Sequence, residues 1–196
     1  LSKDVLHHFG IEHARLTLED SGAIPLVIAA RIEAAIHQLV DTEKDYLLPL
    51  IESNRYDAQK DQFRFSRLYL PGNMPKMMLN AGIHHPNGVI LDLEDSVAPD
   101  RKHEARYLIR NALRGIDYYG AERMVRINQF PMGKEDLKFV IPHHVHTLLV
   151  PKCEGAHQIK ELEEEIDKIR KEHDIQRSIF LMPILESALG IEKAYE

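Results

Sequence analysis

The stretch Gly88-Val-Ile-Leu-Asp-Leu-Glu-Asp-Ser-Val-Ala-Pro99 decides the fold, because an aliphatic run here leads directly into three carboxylates, Asp92, Glu94 and Asp95. Side chains alternate along a strand, so Val89, Leu91 and Leu93 share one face while Ile90, Asp92 and Glu94 share the other. A carboxylate taken out of water is costly unless a cation, a metal or a hydrogen-bond donor faces it. The end of this strand therefore predicts a polar site with a positive partner.

From Ser66 onward, short aliphatic strands alternate with amphipathic helical patterns, which is the signature of βα units and a parallel sheet. Strands are expected at residues 67–70, 88–93, 123–128, 147–151 and 178–185. Helices are expected at 101–114, with Ala105, Leu108, Ile109, Ala112 and Leu113 on one face, and at 157–171, with Ile159, Leu162, Ile166 and Ile169. The fold class is α/β, a TIM-type (β/α)8 barrel. A complete barrel takes roughly 200 residues or more, so residues 66–196 are expected to hold about five strands of one, cut short inside the helix that Ser187 begins.

Parity repeats along the strands. Leu68 and Leu70 oppose Arg67 and Tyr69; Val125 and Ile127 oppose Arg126 and Asn128; Glu186 falls on the face of Met182 and Ile184; Lys152 closes its strand. Arg67, Glu94, Arg126, Lys152 and Glu186 should thus converge on the rim where barrels keep their active sites. Acids facing bases at one rim suggest a divalent cation and an anionic substrate. Arg101, Lys102 and Arg106 read instead as the solvated face of a helix. The turn Asn73-Met-Pro-Lys76 suits either a phosphate held by Asn73-capped amides and Lys76 or a plain βα turn.

Residues 1–54 read as a small α+β unit, with a strand at 14–18, a turn, and a helix from Pro25 to Val40 carrying Ile28, Ile32, Ala35, Ile36 and Leu39 on one stripe. Residues 55–65 are polar and aperiodic, which suits a linker. A net charge of −6 with a pI near 6.1 argues against nucleic acid, and the short apolar runs argue against a membrane span. A cytoplasmic protein is the expectation. The single cysteine, Cys153, excludes an internal disulfide. The doublet His84-His85 and the run His143-His144-Val-His146 lack metal-ligand spacing and read as loop histidines.

Five motifs together, Arg67-Leu-Tyr-Leu-Pro-Gly-Asn, the stretch from Gly88 to Pro99, Val125-Arg-Ile-Asn, Val150-Pro-Lys and Met182-Pro-Ile-Leu-Glu-Ser-Ala-Leu-Gly190, resemble the citrate lyase β-subunit family, which includes malyl-CoA and citramalyl-CoA lyases. The resemblance implies a barrel with Mg²⁺ as cofactor and Glu186 as its first ligand; the second family ligand, an Asp, falls beyond Glu196. It implies that Arg126 contacts the substrate carbonyl and that Glu94 and Asp95 act around the metal through water. Tyr69, Pro71, Lys76 and Lys152 lie in segments that approach the thioester carrier or the substrate, and Asp92, deeper in its strand, is left as an ion-pair partner. The stretch Gly22-Ala-Ile-Pro-Leu-Val-Ile-Ala-Ala-Arg-Ile-Glu-Ala-Ala35 is similar to the C-terminal part of the citrate lyase acyl-carrier subunit, without a serine assignable to its prosthetic group; a nonspecific amphipathic helix fits the same pattern.

The implied activity is Mg²⁺-dependent cleavage of a citryl-type 3-hydroxyacyl thioester into a 2-oxo acid such as oxaloacetate and an acetyl thioester. The acyl group sits on CoA or on an acyl carrier, and the identity of the base is left open, with Glu94 or Asp95 able to serve through a water. The implied partners are further copies in a trimer-type homo-oligomer and other lyase subunits. A malyl-CoA or citramalyl-CoA lyase using free CoA thioesters, and a non-catalytic scaffold subunit, are the alternatives.

Overall fold

Five parallel strands, β1 (Arg67–Pro71), β2 (Gly88–Asp92), β3 (Glu122–Arg126), β4 (Thr147–Val150) and β5 (Phe180–Pro183), pair in chain order in a computed structural model that describes residues 1–195. Pro71 pairs with Asp92, Asp92 with Arg126 and Arg126 with Leu149, so the strands finish along one edge. Each strand expected from residue 66 onward is present and differs only at its ends.

The helices cover one face. The helix α4 (Lys102–Gly115) buries Ala105, Leu108, Ile109 and Ala112 completely, against Val89, Leu91, Leu93, Val125 and Ile127 of the sheet. Burial of each large aliphatic side chain stabilises by about 1.5–3 kcal/mol. On the opposite, concave face Ile90, Met124 and Leu149 form a separate cluster with Met182 and Ile184. Strand parity therefore sorted the two faces correctly. Along the chain, α3 (Pro75–Asn80), α5 (Met132–Val140), α6 (Ala156–Glu172) and α7 (Ala188–Glu192) complete the helical elements.

Sequence reading missed α5, although Leu137, Val140 and Ile141 recur at helical spacing and are buried. Pro131 and Gly133 at its entry look like a loop. Gly133 is needed there because an added Cβ would collide with the Asn128 carbonyl.

The N-terminal unit departs from expectation. Its elements are two helices, α1 (Ser2–His8) and α2 (Pro25–Leu39), and residues 14–18 form no strand. Their alternation is genuine, but a strand needs a neighbour to complete its ladder, and these residues are exposed with no strand beside them. Nor is α2 amphipathic with one buried stripe. Leu26, Val27, Ala30 and Ala34 join the main core beside α4, while Ala29, Ile32 and Ile36 pack with Val5 of α1. Glu33, fully buried, pairs with Arg110 of α4, whose Nη1 also lies 3.0 Å from Asp45.

Residues 55–65 are not a free linker. The strap is anchored by Asn54, which is fully buried and donates to the carbonyls of Leu113 at 3.0 Å and Ile116 at 2.8 Å, and by Tyr56, whose hydroxyl donates to Ala121 at 2.5 Å. Gln62 and Arg64 bind the buried carboxylate of Glu122 at the start of β3. Polar, aperiodic sequence suits a linker, but here the polar groups satisfy partners at the N-terminal end of the sheet. No helix among the described residues is long and apolar enough to cross a membrane.

The histidines beside β4 are packed, neutral groups. His146 Nδ1 accepts from the Arg123 backbone N–H at 3.0 Å, so its proton sits on Nε2 and is donated to the Tyr56 carbonyl at 2.8 Å. Burial, reinforced by Arg123, lowers the His146 pKa to about 4, and burial with Arg110 and Arg114 lowers that of His143 to about 2. The unfolded chain takes up these protons from about pH 6.5 downward, before the folded rings do, so their contribution is complete above that pH and declines as pH falls. The expected loss is on the order of 1.4 kcal/mol per pH unit for each ring. Urea melts at pH 7.5, 6 and 5 measure it; a midpoint that does not move across that range contradicts the assignment.

Candidate active site

At the C-terminal edge of the sheet, β2 runs into a turn shaped by its own last residue. Asp92 Oδ1 accepts from the Glu94 N–H at 2.9 Å and Oδ2 from the Ser96 N–H at 3.1 Å, which aims Glu94 inward and leaves Asp95 exposed. From the end of β3, Arg126 donates Nε and Nη2 to the two Asp92 oxygens, both at 2.7 Å. This fork leaves Nη1 facing the rim, 3.2 Å from Glu94 and 3.8 Å from Asp95.

The later strands bring the remaining groups. Lys152, in the left-handed region at φ 47 just beyond β4, places Nζ 2.8 Å from Glu94 Oε1 and 3.4 Å from Asp95, while its backbone N–H donates to Glu186 at 3.0 Å. Gln129 donates to Glu94 Oε1 at 3.1 Å, and the Tyr69 ring lies under Arg126, 5.4 Å from centroid to guanidinium. Burial alone would raise the Asp92 pKa, but the hydrogen bonds from Arg126, Ser96 and Glu94 hold it below the usual carboxylate range. The same pairing raises Arg126, and the bond to Glu94 raises Lys152. Burial raises the Tyr69 phenol.

Of the residues singled out from sequence, Tyr69, Glu94, Asp95, Arg126, Lys152 and Glu186 are brought together, and Pro71 lies beside Asp92 in register. Two are elsewhere. Arg67 starts β1, opposite Gly88, and its side chain runs along the concave face to Met182 Sδ at 3.3 Å, with no ion pair among the described residues. Lys76 lines a cavity with Glu19, Asp20 and Arg31. Asn73 does not cap α3: the turn closes one residue later, where the Met74 N–H donates to Pro71, and Met74 takes the N-cap without a side-chain bond.

Sequence reading also missed the scaffold behind the rim. Lys102 Nζ donates to the carbonyls of Leu93 at 2.7 Å and Glu94 at 2.8 Å and to Asn128 Oδ1 at 2.5 Å, tying the β2 and β3 loops together. Asn128 in turn donates to the buried Asp136, which accepts from Arg106 at 2.7 Å. Lys102 and Arg106 are therefore inward-facing ties, not a solvated face; a charge on the first turn of a helix looks alike in sequence whichever way it points. Lys102→Met leaves three acceptors without their donor and is expected to cost about 1–3 kcal/mol. Denaturant melts check this, and an unchanged midpoint would remove Lys102 from the scaffold.

Glu186, Glu94 and Asp95 offer the all-oxygen donor set preferred by a hard divalent cation. Glu94 Oε2 is buried with no hydrogen bond among the described residues and has Arg126 Nη1 3.2 Å away, so its charge faces a cation already. Among the described residues, Glu33, His37 and Asp45 also bring ligand atoms within 4.8 Å of one another; both carboxylates there face Arg110, as Glu94 and Asp95 face Arg126 and Lys152.

Residues 66–196 match the HpcH/HpaI aldolase/citrate lyase family. The chain belongs to this family. Both the family resemblance carried by the five motifs and the TIM-type fold expectation are borne out. Residues 1–39 match the malonate decarboxylase delta subunit (MdcD) acyl-carrier family, consistent with the carrier-like reading of α2. Citrate lyase subunit beta of Leuconostoc mesenteroides subsp. cremoris is 36% identical over 139 residues, 69% of this chain and 46% of that protein. The human mitochondrial citramalyl-CoA lyase is 31% identical over 63% of this chain and 38% of its own length. The crystal structure of CitE from Mycobacterium tuberculosis in complex with magnesium, acetoacetate and coenzyme A superposes with a TM-score of 0.51 at 28% identity, covering 67% of this chain and 44% of that one. This HpcH/HpaI family chain thus spans less than half the length of each of these relatives.

Proposed function

We propose that the protein is a Mg²⁺-dependent carbon–carbon lyase of the cytoplasm that cleaves a citryl-type 3-hydroxyacyl thioester into a 2-oxo acid, such as oxaloacetate, and an acetyl thioester. The observation that carries this reading is Arg126, clamped by Asp92 and facing Glu94, Asp95, Lys152 and Glu186 at the strand ends of an HpcH/HpaI-family sheet. Glu186, with Glu94 and Asp95 beside it, would hold Mg²⁺, which when bound would supply Lewis acidity toward the 2-oxo acid.

The chain's own residues do the rest. A base, Glu94 or Asp95, takes the hydroxyl proton; the O–H electron pair becomes the new carbonyl, the adjacent C–C bond breaks, and its electrons form the thioester enolate. Protonation of that enolate at carbon yields the acetyl thioester. Arg126 Nη1 stabilises the charge that develops on oxygen, and it is already oriented for this because Asp92 holds the other two nitrogens. Lys152 balances Glu94. Tyr69 and Pro71 border the substrate, whereas Arg67 at the start of β1 and Lys76 in its separate cavity lie off the rim.

Two relatives favour different substrate forms. The citrate lyase subunit and the carrier-like match of residues 1–39 support an acyl group on a carrier within an oligomer that includes other lyase subunits. The citramalyl-CoA lyase supports a free CoA thioester, the second reading. The full-length protein, assayed with citryl-, malyl- and citramalyl-CoA against carrier-bound citryl substrate, separates them. Cleavage of the carrier-bound substrate above the CoA esters is expected. No cleavage of any, with Mg²⁺ present, would favour a scaffold subunit instead.

A further inference from the structure

At the opposite end of the strands from Arg126, the loops that enter β4 and β5 meet residues 43–57 around a cleft of about 1110 Å³. Its lining includes Arg114, His143 and Arg177. Arg114 donates Nε to the Leu48 carbonyl at 2.6 Å, and its Nη1 lies 3.1 Å from His143 Nδ1. A guanidinium has no acceptor, so His143 Nδ1 accepts and the ring's proton is on Nε2. His143 is only 4% exposed, yet that Nε2–H has no hydrogen-bond partner among the described residues. Arg177 donates Nη2 to the Ile141 carbonyl, and its Nε is buried with no partner at all.

The two arginines also lack counter-charges. Arg64, Arg106, Arg110 and Arg126 each have a carboxylate within ion-pair distance, whereas among the described residues Arg114 and Arg177 have none. The cleft is also lined by acids, Glu43, Asp45, Glu135, Glu165, Glu172 and Asp174, but among the described residues none is within ion-pair distance of Arg114 or Arg177: Asp45 faces Arg110, Glu135 pairs with Lys138 at 3.1 Å, and Glu165 with Lys168 at 2.9 Å. Asp57 acts on Arg177 only at longer range. Burial depresses the pKa of both part-buried arginines, helped at Arg114 by the neighbouring Arg110 and Arg55 and offset in part at Arg177 by Asp57. Unpaired buried charge and unused donors are costly, and a bound anion removes both costs at once.

We propose that this cleft binds a small multivalent oxyanion, a phosphate or a polycarboxylate, through His143 Nε2–H and the guanidinium groups of Arg114 and Arg177. The site is separate from the strand-end rim and stands whether or not the lyase reading holds. Planar guanidinium groups suit the paired oxygens of such ligands.

The test is calorimetric titration of the full chain, free of Mg²⁺, with inorganic phosphate and with citrate in separate experiments at constant ionic strength. Saturable binding of at least one anion is expected, with phosphate alone or citrate alone naming the source. Arg177→Gln and His143→Gln are each expected to weaken that binding about tenfold or more, while Glu165→Gln leaves it unchanged. If a variant does not fold, the imidazole ¹⁵N resonances of His143 in the unaltered protein, followed during the titration, replace it: a shift at Nε2 supports the site. No saturable binding of either anion, equal affinity in folded Arg177→Gln and His143→Gln proteins, or a static Nε2 resonance overturns it.

Discussion

Glu186→Gln is expected to abolish Mg²⁺-dependent cleavage and to leave the fold intact. The carboxylate is exposed, and among the described residues its one bond is the Lys152 N–H to Oε1 at 3.0 Å. A glutamine carbonyl accepts from that N–H equally well, so the loop after β4 keeps its tie. What is lost is the negative charge that would hold the cation. Removing several kcal/mol of Lewis-acid stabilisation, at about 1.4 kcal/mol per tenfold in rate, reduces turnover by about 10³-fold or more. Initial rates of the full-length protein across a Mg²⁺ series, with a thermal melt of the same preparation, measure both halves of the expectation. Full activity with Mg²⁺ would sink the metal assignment.

Arg126→Ala is expected to fail twice, in stability and in turnover. The pair is largely out of water, with side-chain exposures of 14% for Arg126 and 2% for Asp92. Removing the guanidinium leaves the Asp92 carboxylate buried with only two backbone donors, which costs about 3–5 kcal/mol. It also removes the charge offered to the developing oxyanion, worth about 10²–10³ in turnover by analogy with a single oxyanion-hole donor. The paired change Asp92→Ala with Arg126→Ala distinguishes the two effects. It removes the orphaned carboxylate, so stability is recovered in part while turnover stays low. Turnover that returns with stability would make Arg126 purely structural; a change in Mg²⁺ affinity alone would equally contradict its role.

Much of this site was legible beforehand because barrel strands announce themselves locally. Alternation sorted Ile90, Met124 and Leu149 from Val89, Leu91 and Val125, and the charged ends of β2, β3 and the segment after β5 pointed to one rim. Arg67 misled because parity tells which face a residue occupies, not how far along the strand it sits. It shares a face with Tyr69 but starts the strand. Lys102 was passed over because helix-surface charge carries no local sign of direction, and the expected strand at 14–18 failed because alternation cannot supply a neighbour.

Sequence by itself determined the βα alternation, the two faces of the sheet, the acidic end of β2 and the family to which residues 66–196 belong, since each rests on periodicity or on contiguous motifs. Only the tertiary structure decided that Arg126 clamps Asp92, that Lys152 bridges Glu94 and Glu186, that residues 52–64 strap the far end of the sheet, and that Arg114 and Arg177 stand there without counter-charges. Those pairings join residues 34 positions apart for Arg126 and Asp92 and 58 for Lys152 and Glu94. A charge's energy depends on which partner the fold brings to it and how little water remains between them, and neither quantity is written in the residues on either side of it.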